Sequence, residues 1–198
     1  MKKTSEMCFY DDGYPVHERM PRVFCVDFQE HHESSHVSVS VSIEGEQIGN
    51  VLTDNAHTDD GYRYHDVFHL SYLAVLGWSA CIRKILGKKR KSQSKVDEVE
   101  DGARATSVEE GMVSLIFNYA EQHGFFENQH SIDHNFLDVV RMAFCKFEVQ
   151  DKSREEWQKA ILKGFEMFRL LRHNKGGKIK VDMYNKNLYY LGESRNIY

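Results

Sequence analysis

The run Asp59-Asp60-Gly61-Tyr62-Arg63-Tyr64-His65-Asp66-Val67-Phe68-His69 is the densest cluster of reactive side chains in the 198-residue sequence. On a helix Asp66 and His69 stand i, i+3 and His65 and His69 stand i, i+4, spacings that put side chains on a shared face. Asp66 and His69 also extend the apolar stripe that continues to Leu73, which directs them inward. A buried carboxylate beside an imidazole needs a partner. A divalent metal is one solution; a hydrogen bond between the two, or to the Asp54–Asp60 loop, is the other.

A second cluster holds Asp97, Glu98, Glu100 and Asp101, followed by Glu109 and Glu110. If residues 97–120 form one helix at about 100° per residue, Glu98, Asp101, Ala105, Glu109, Met112 and Ile116 share a narrow arc. Carboxylates that prolong an apolar stripe repel one another and are costly to desolvate. Mg²⁺ relieves both problems, because it takes oxygen ligands and keeps waters for phosphates. The competing reading is a charged first turn that complements the helix dipole. Glu110 falls off the arc and completes a Ser107-x-x-Glu110 capping box. Just before this cluster come Arg83, Lys84, Lys88, Lys89, Arg90, Lys91 and Lys95. They could hold substrate phosphates opposite a metal, or form a solvated loop. Arg104, among the carboxylates, is a phosphate ligand or their salt-bridge partner. The histidines His31, His32, His36 and His57 do not follow a standard zinc spacing, and Cys8, Cys25, Cys81 and Cys145 contain no C-x-x-C pair. Scattered thiols of this kind suit a reducing cytoplasm.

Several elements must position these groups. Residues 1–21 read as an irregular arm. Residues 22–29 carry a strand signal, Val37-Ser-Val-Ser-Val-Ser-Ile43 alternates strictly, and Gln47 to Leu52 is a partner strand across Glu44-Gly45-Glu46. Tyr62 to Leu86 reads as one long helix ended by Gly87. A helix over 97–123, broken near Gly102 or Ser107, follows, then one over Asp133–Phe147. Ser153-x-x-Glu156 caps a further helix striped by Trp157, Ile161, Phe165, Phe168 and Leu171 and ended by Gly176-Gly177. Ile179 to Leu191 can form a short hairpin. The predicted fold is mainly α: a bundle of about four helices with a small N-terminal antiparallel sheet and a short C-terminal β-hairpin. The divisions fall at 1–55, 56–177 and 178–198.

Composition excludes some classes. Hydrophobic residues at 41% and charged residues at 28% are ordinary for a soluble globular protein. A net charge of −4 argues against a general duplex-DNA binder. No apolar run approaches the roughly 20 residues of a membrane span, and the polar opening Met1–Glu6 does not read as a signal peptide. The expectation is a cytoplasmic protein with neither a membrane nor a sequence-specific nucleic acid as partner.

The runs at 52–79, 89–111 and 160–177 resemble the C-terminal-type MazG domain, a branch of the all-α nucleoside triphosphate pyrophosphohydrolases, and the resemblance extends over about residues 36–184. That group binds Mg²⁺ through E-E-x-x-E on one helix and E-x-x-D on another, and it cleaves nucleoside triphosphates to monophosphate and pyrophosphate. Glu98 and Asp101 supply an E-x-x-D. Glu109-Glu110 supplies a Glu pair that follows the E-x-x-D, with Val113 where a third Glu would stand. The resemblance implies a nucleotide substrate, Mg²⁺ or Mn²⁺ on Asp66, Glu98, Asp101 and Glu109, and a homodimer or higher homo-oligomer. Glu109, Glu110 and His69 would orient or deprotonate water. Arg104, Lys88, Lys89, Arg90 and Lys95 would neutralise phosphate charge. Two alternatives stand beside this reading. One is an HD-type metal phosphohydrolase built on His65-Asp66 with His57 or His36 and Asp138. The other is a nucleotide-binding or interaction module without turnover.

Overall fold

The computed structural model describes residues 9–32 and 36–192; the first eight residues of the predicted arm, Cys8 among them, and the last six of the tail lie outside the described residues. The strands are β1 (Val23–His32), β2 (Val37–Ile43), β3 (Glu46–Leu52), β4 (Gly176–Asp182) and β5 (Asn187–Tyr190). They make one antiparallel sheet in the order β3-β2-β1-β4-β5. The expectation of a mainly α bundle with two detached β pieces is therefore corrected: the fold is α+β. The reason is hydrogen-bonding capacity. A strand has two edges, and β2 satisfies only one edge of β1. The other edge pairs with β4, which places Val26 opposite Ile179 and Phe24 opposite Val181. Val26, Phe28, Val39, Val41, Ile179, Val181 and Leu188 are all buried, so strands from both ends of the chain close over one core.

The helices are α1 (Asp66–Leu76), α2 (Ala80–Ile85), α3 (Ser94–Val99), α4 (Ala103–Glu121), α5 (His134–Ala143) and α6 (Arg154–Asn174). All eleven residues of α1 are buried. It is apolar on every side because it touches α2, α4, α6, β4 and β5. Gly164 of α6 permits the closest part of that packing, since a Cβ there would lie 3.0 Å from the Phe68 ring. Phe68, Phe117, Phe165 and Phe168 fill the space between α1, α4 and α6 with ring centroids 4.5 to 6.3 Å apart. Fully burying such a side chain contributes roughly 1.5–3 kcal/mol. No helix among the described residues is long and apolar enough to cross a membrane.

Two helical stretches each divide in two, the first where no break was expected and the second at Gly102, one of the two positions expected. Gly77, at φ +76°, stops α1 where one helix over Tyr62–Leu86 was expected, and the Ser79 side chain restarts the chain as α2 by accepting from Ile82 N. The stretch over 97–123 divides at Glu100–Gly102 into α3 and α4. Ser107 thus lies inside α4 and does not open a helix, so its capping box is not formed. Glu98 and Glu109 consequently sit on different helices and no longer share one arc. By contrast, the Ser153–Glu156 capping box is present at α6, and Asp133 caps α5 by accepting from Phe136 N at 3.0 Å.

Candidate functional site

The entry to α1 is set by a buried guanidinium. Arg63 donates to Asp54, Asp59 and Glu30, and the Tyr64 hydroxyl donates to Glu30 at 2.6 Å. This clamp ties the start of α1 to β1 and fixes the direction of the next residues. His65 stacks on Tyr62 with centroids 4.6 Å apart, and its Nδ1 lies 3.0 Å from the Tyr62 carbonyl. A carbonyl only accepts, so Nδ1 carries the proton and Nε2 presents a lone pair. Burial pushes the His65 pKa below its ordinary value, against the pull of the Asp66 charge.

One turn on, His69 is fully buried. Its Nδ1 lies 2.8 Å from Glu109 Oε1. The same oxygen accepts from the Ser79 hydroxyl at 2.7 Å, and Glu109 Oε2 accepts from Cys81 N at 2.9 Å. Glu109 is thereby anchored by the start of α2, which the glycine break at Gly77 makes available. His69 Nε2 is buried and makes no hydrogen bond of good geometry; Glu110 Oε2 stands 3.3 Å from it as an ion-pair partner. Burial disfavours charge on His69, but the Glu109 carboxylate outweighs it and raises the pKa well above the ordinary value. His69 in turn holds the Glu110 carboxyl down at about 2. Burial pushes the Cys81 thiol up to about 12, so it stays protonated.

Glu110, His65 and Asp66 open onto a cleft of about 710 Å³ between β3, α2 and α4, with Lys84, Ser107 and Asn50 also on its wall. Of the residues that the sequence points to, Asp66, His69, Glu109 and Glu110 come together here. The others stand elsewhere. Glu98, with its side chain 71% exposed, pairs with Lys95 at 3.1 Å. Asp101 is buried, but it accepts from Arg90 N, Nε and Nη2 at 2.7 to 3.1 Å. Lys88 donates to the His17 carbonyl, Lys89 pairs with Asp97, and Arg90 also grips Glu148. Arg104 is exposed in the first turn of α4. For the HD alternative, His36 and His57 line a different pocket and Asp138 is held by Arg154.

The oxygen set expected for Mg²⁺ therefore does not fit as one site: Glu98 is on the surface, Asp101 is taken by arginines, and Glu109 already accepts three donors. What gathers instead is a pair of imidazoles with Glu110 and Asp66. Sequence reasoning missed Ser79 and Cys81, whereas Lys84 is one of the cations it offered for phosphate. Ser79 was the findable one, because a serine before Ala-Cys-Ile-Arg is an N-cap pattern. Comparison with known proteins gives one match: a family model described as the MazG C-terminal domain covers residues 5–194, nearly the whole chain. No curated protein and no solved structure matches.

Proposed function

The chain belongs to the MazG C-terminal domain family, and from that premise we propose that it is a nucleotide hydrolase cleaving a (deoxy)nucleoside triphosphate to monophosphate and pyrophosphate. The observation that carries the reading is the cleft wall on which Asp66 and Glu110 stand beside Lys84 and Ser107. A nucleoside triphosphate arrives as its Mg²⁺ complex, so the cation here is part of the substrate. Carboxylates complement the hydrated cation, while an ammonium and a hydroxyl complement phosphate oxygens. Glu110, ionised at neutral pH, orients the attacking water. Attack at the α-phosphorus breaks its bond to the bridging oxygen, and pyrophosphate leaves. His69, anchored by Glu109, fixes Glu110 from behind and so acts as a positioning residue. A nucleotide-binding module without turnover is the second reading. It is favoured by Asp101, whose oxygens are committed to Arg90.

The test is incubation with each NTP and dNTP plus Mg²⁺, read as pyrophosphate release, with nucleotide binding measured in parallel. Release by the parent chain, lowered about 100-fold or more in Glu110→Gln, is the expected result. Saturable binding without release selects the module. Neither binding nor release with any nucleotide removes both readings.

A further inference from the structure

His65 and His69 project from consecutive turns, and each has its Nδ1 already fixed. The Tyr62 carbonyl holds one at 3.0 Å and the Glu109 carboxylate holds the other at 2.8 Å. Holding one ring nitrogen by a carbonyl or carboxylate is how proteins orient a histidine whose other nitrogen binds metal. Both remaining nitrogens are Nε2. That of His69 is buried and has no hydrogen-bond partner. That of His65 faces Asp66 Oδ1 at 3.6 Å, so in the neutral ring a lone pair meets a carboxylate oxygen, and a cation between them satisfies both. One ligand atom each of His65, His69 and Glu110 lies within 4.8 Å of the other two.

We infer that His65 Nε2, His69 Nε2 and the Glu110 carboxylate bind a borderline divalent transition-metal ion of the Zn²⁺ class, with Asp66 beside it as a fourth donor, through oxygen. The spacing agrees. Bonds of about 2.0–2.1 Å in a tetrahedron put ligand atoms about 3.3 Å apart, and His69 Nε2 and Glu110 Oε2 are 3.3 Å apart. The Glu110 side chain is half exposed and can move the short distance that closes the set. Two imidazoles favour Zn²⁺ or Co²⁺ over Mg²⁺, which takes oxygen and gives up its water reluctantly. A second grouping, His69 with Cys81 and Glu109, is less suited, because Glu109 already accepts from Ser79, Cys81 and His69.

The test needs no nucleotide, so its outcome is separate from that of the hydrolase reading. The full chain, freed of any purification tag and stripped with a chelator, is titrated with Zn²⁺ and separately with Co²⁺. The expected result is one ion per chain by elemental analysis, a rise in unfolding temperature, and a visible Co²⁺ absorption band. His65→Ala and Glu110→Gln, both at partly exposed positions, each weaken Zn²⁺ binding at least about tenfold, whereas the surface variant His130→Ala binds as the parent does. Should one site variant not fold, the other decides. Equal affinity in a folded site variant, no saturable binding by the folded parent, or Mg²⁺ displacing Zn²⁺ at equal concentration would each overturn the assignment.

Discussion

Two buried charged regions flank α2, and they differ in how far their bonding capacity is used. On one side Asp11, Arg83, Asp101, Arg90 and Glu148 form a continuous chain. Arg83 links Asp11 to Asp101, Arg90 links Asp101 to Glu148, and Glu148 N donates to Glu100. Arg22 and Met20 N complete Asp11. Planar guanidinium forks match carboxylates bidentately, which leaves little for a ligand to take. On the other side His69 is held at Nδ1, its buried Nε2 makes no hydrogen bond, and Glu110, 3.3 Å from that atom, also faces the cleft. Both regions are conspicuous as clustered charge, but only the second has an atom in need of a partner. A buried charge points to function by what it leaves unsatisfied, and the first region is better read as the frame that holds the arm against α2.

Four experiments would sharpen or break that contrast. The largest effect is expected from Asp101→Asn, which removes the buried carboxylate that Arg90 and Arg83 share, leaving Arg90 only Glu148, and should cost about 3–5 kcal/mol of unfolding free energy in urea. A loss near zero would end the description of this region as a frame. Glu109→Gln removes the buried partner of His69 and should cost about 1–3 kcal/mol; chelator-stripped protein isolates this from any effect of metal. Smaller still is the acid response of Asp11. Burial opposes its charge, but Arg22, Met20 N and Arg83 hold its pKa below the ordinary 3.8. Its contribution is therefore present above pH 3.8 and lost as pH falls through the lower folded value, because the unfolded chain takes up the proton first. Stability measured downward from pH 4 should fall less steeply in Asp11→Asn than in the parent. The smallest effect belongs to Glu98→Gln. An exposed i, i+3 pair with Lys95 should change stability by no more than a few tenths of a kcal/mol, and a large loss would show that the surface carboxylate does more than pair with a lysine.

Much of the local structure could be read from the residues. The Val37–Ile43 alternation, the Ser153–Glu156 box and the stripe from Trp157 to Leu171 each carry their signal within a few positions, and each has its element in the fold. The family was also legible, because the runs at 52–79, 89–111 and 160–177 are contiguous. The single sheet was not. Pairing β1 with β4 joins strands from opposite ends of the chain, and no local pattern specifies which free edge meets which. Of the helix breaks, the one at Gly102 was legible and the one at Gly77 was not, since a glycine permits a turn without requiring one.

The sequence by itself determined which residues are amphipathic, which are capped, and that His65, Asp66 and His69 share a helix face. Tertiary structure alone decided which charges are already satisfied. Asp101 and Glu109 look alike as acidic residues on a helical stretch, yet one meets arginines and the other a histidine, a serine and a backbone N–H. That choice is made by groups distant along the chain: hydrogen-bonding capacity is filled by whatever the fold brings within about 3 Å, and spacing along one segment carries no record of it.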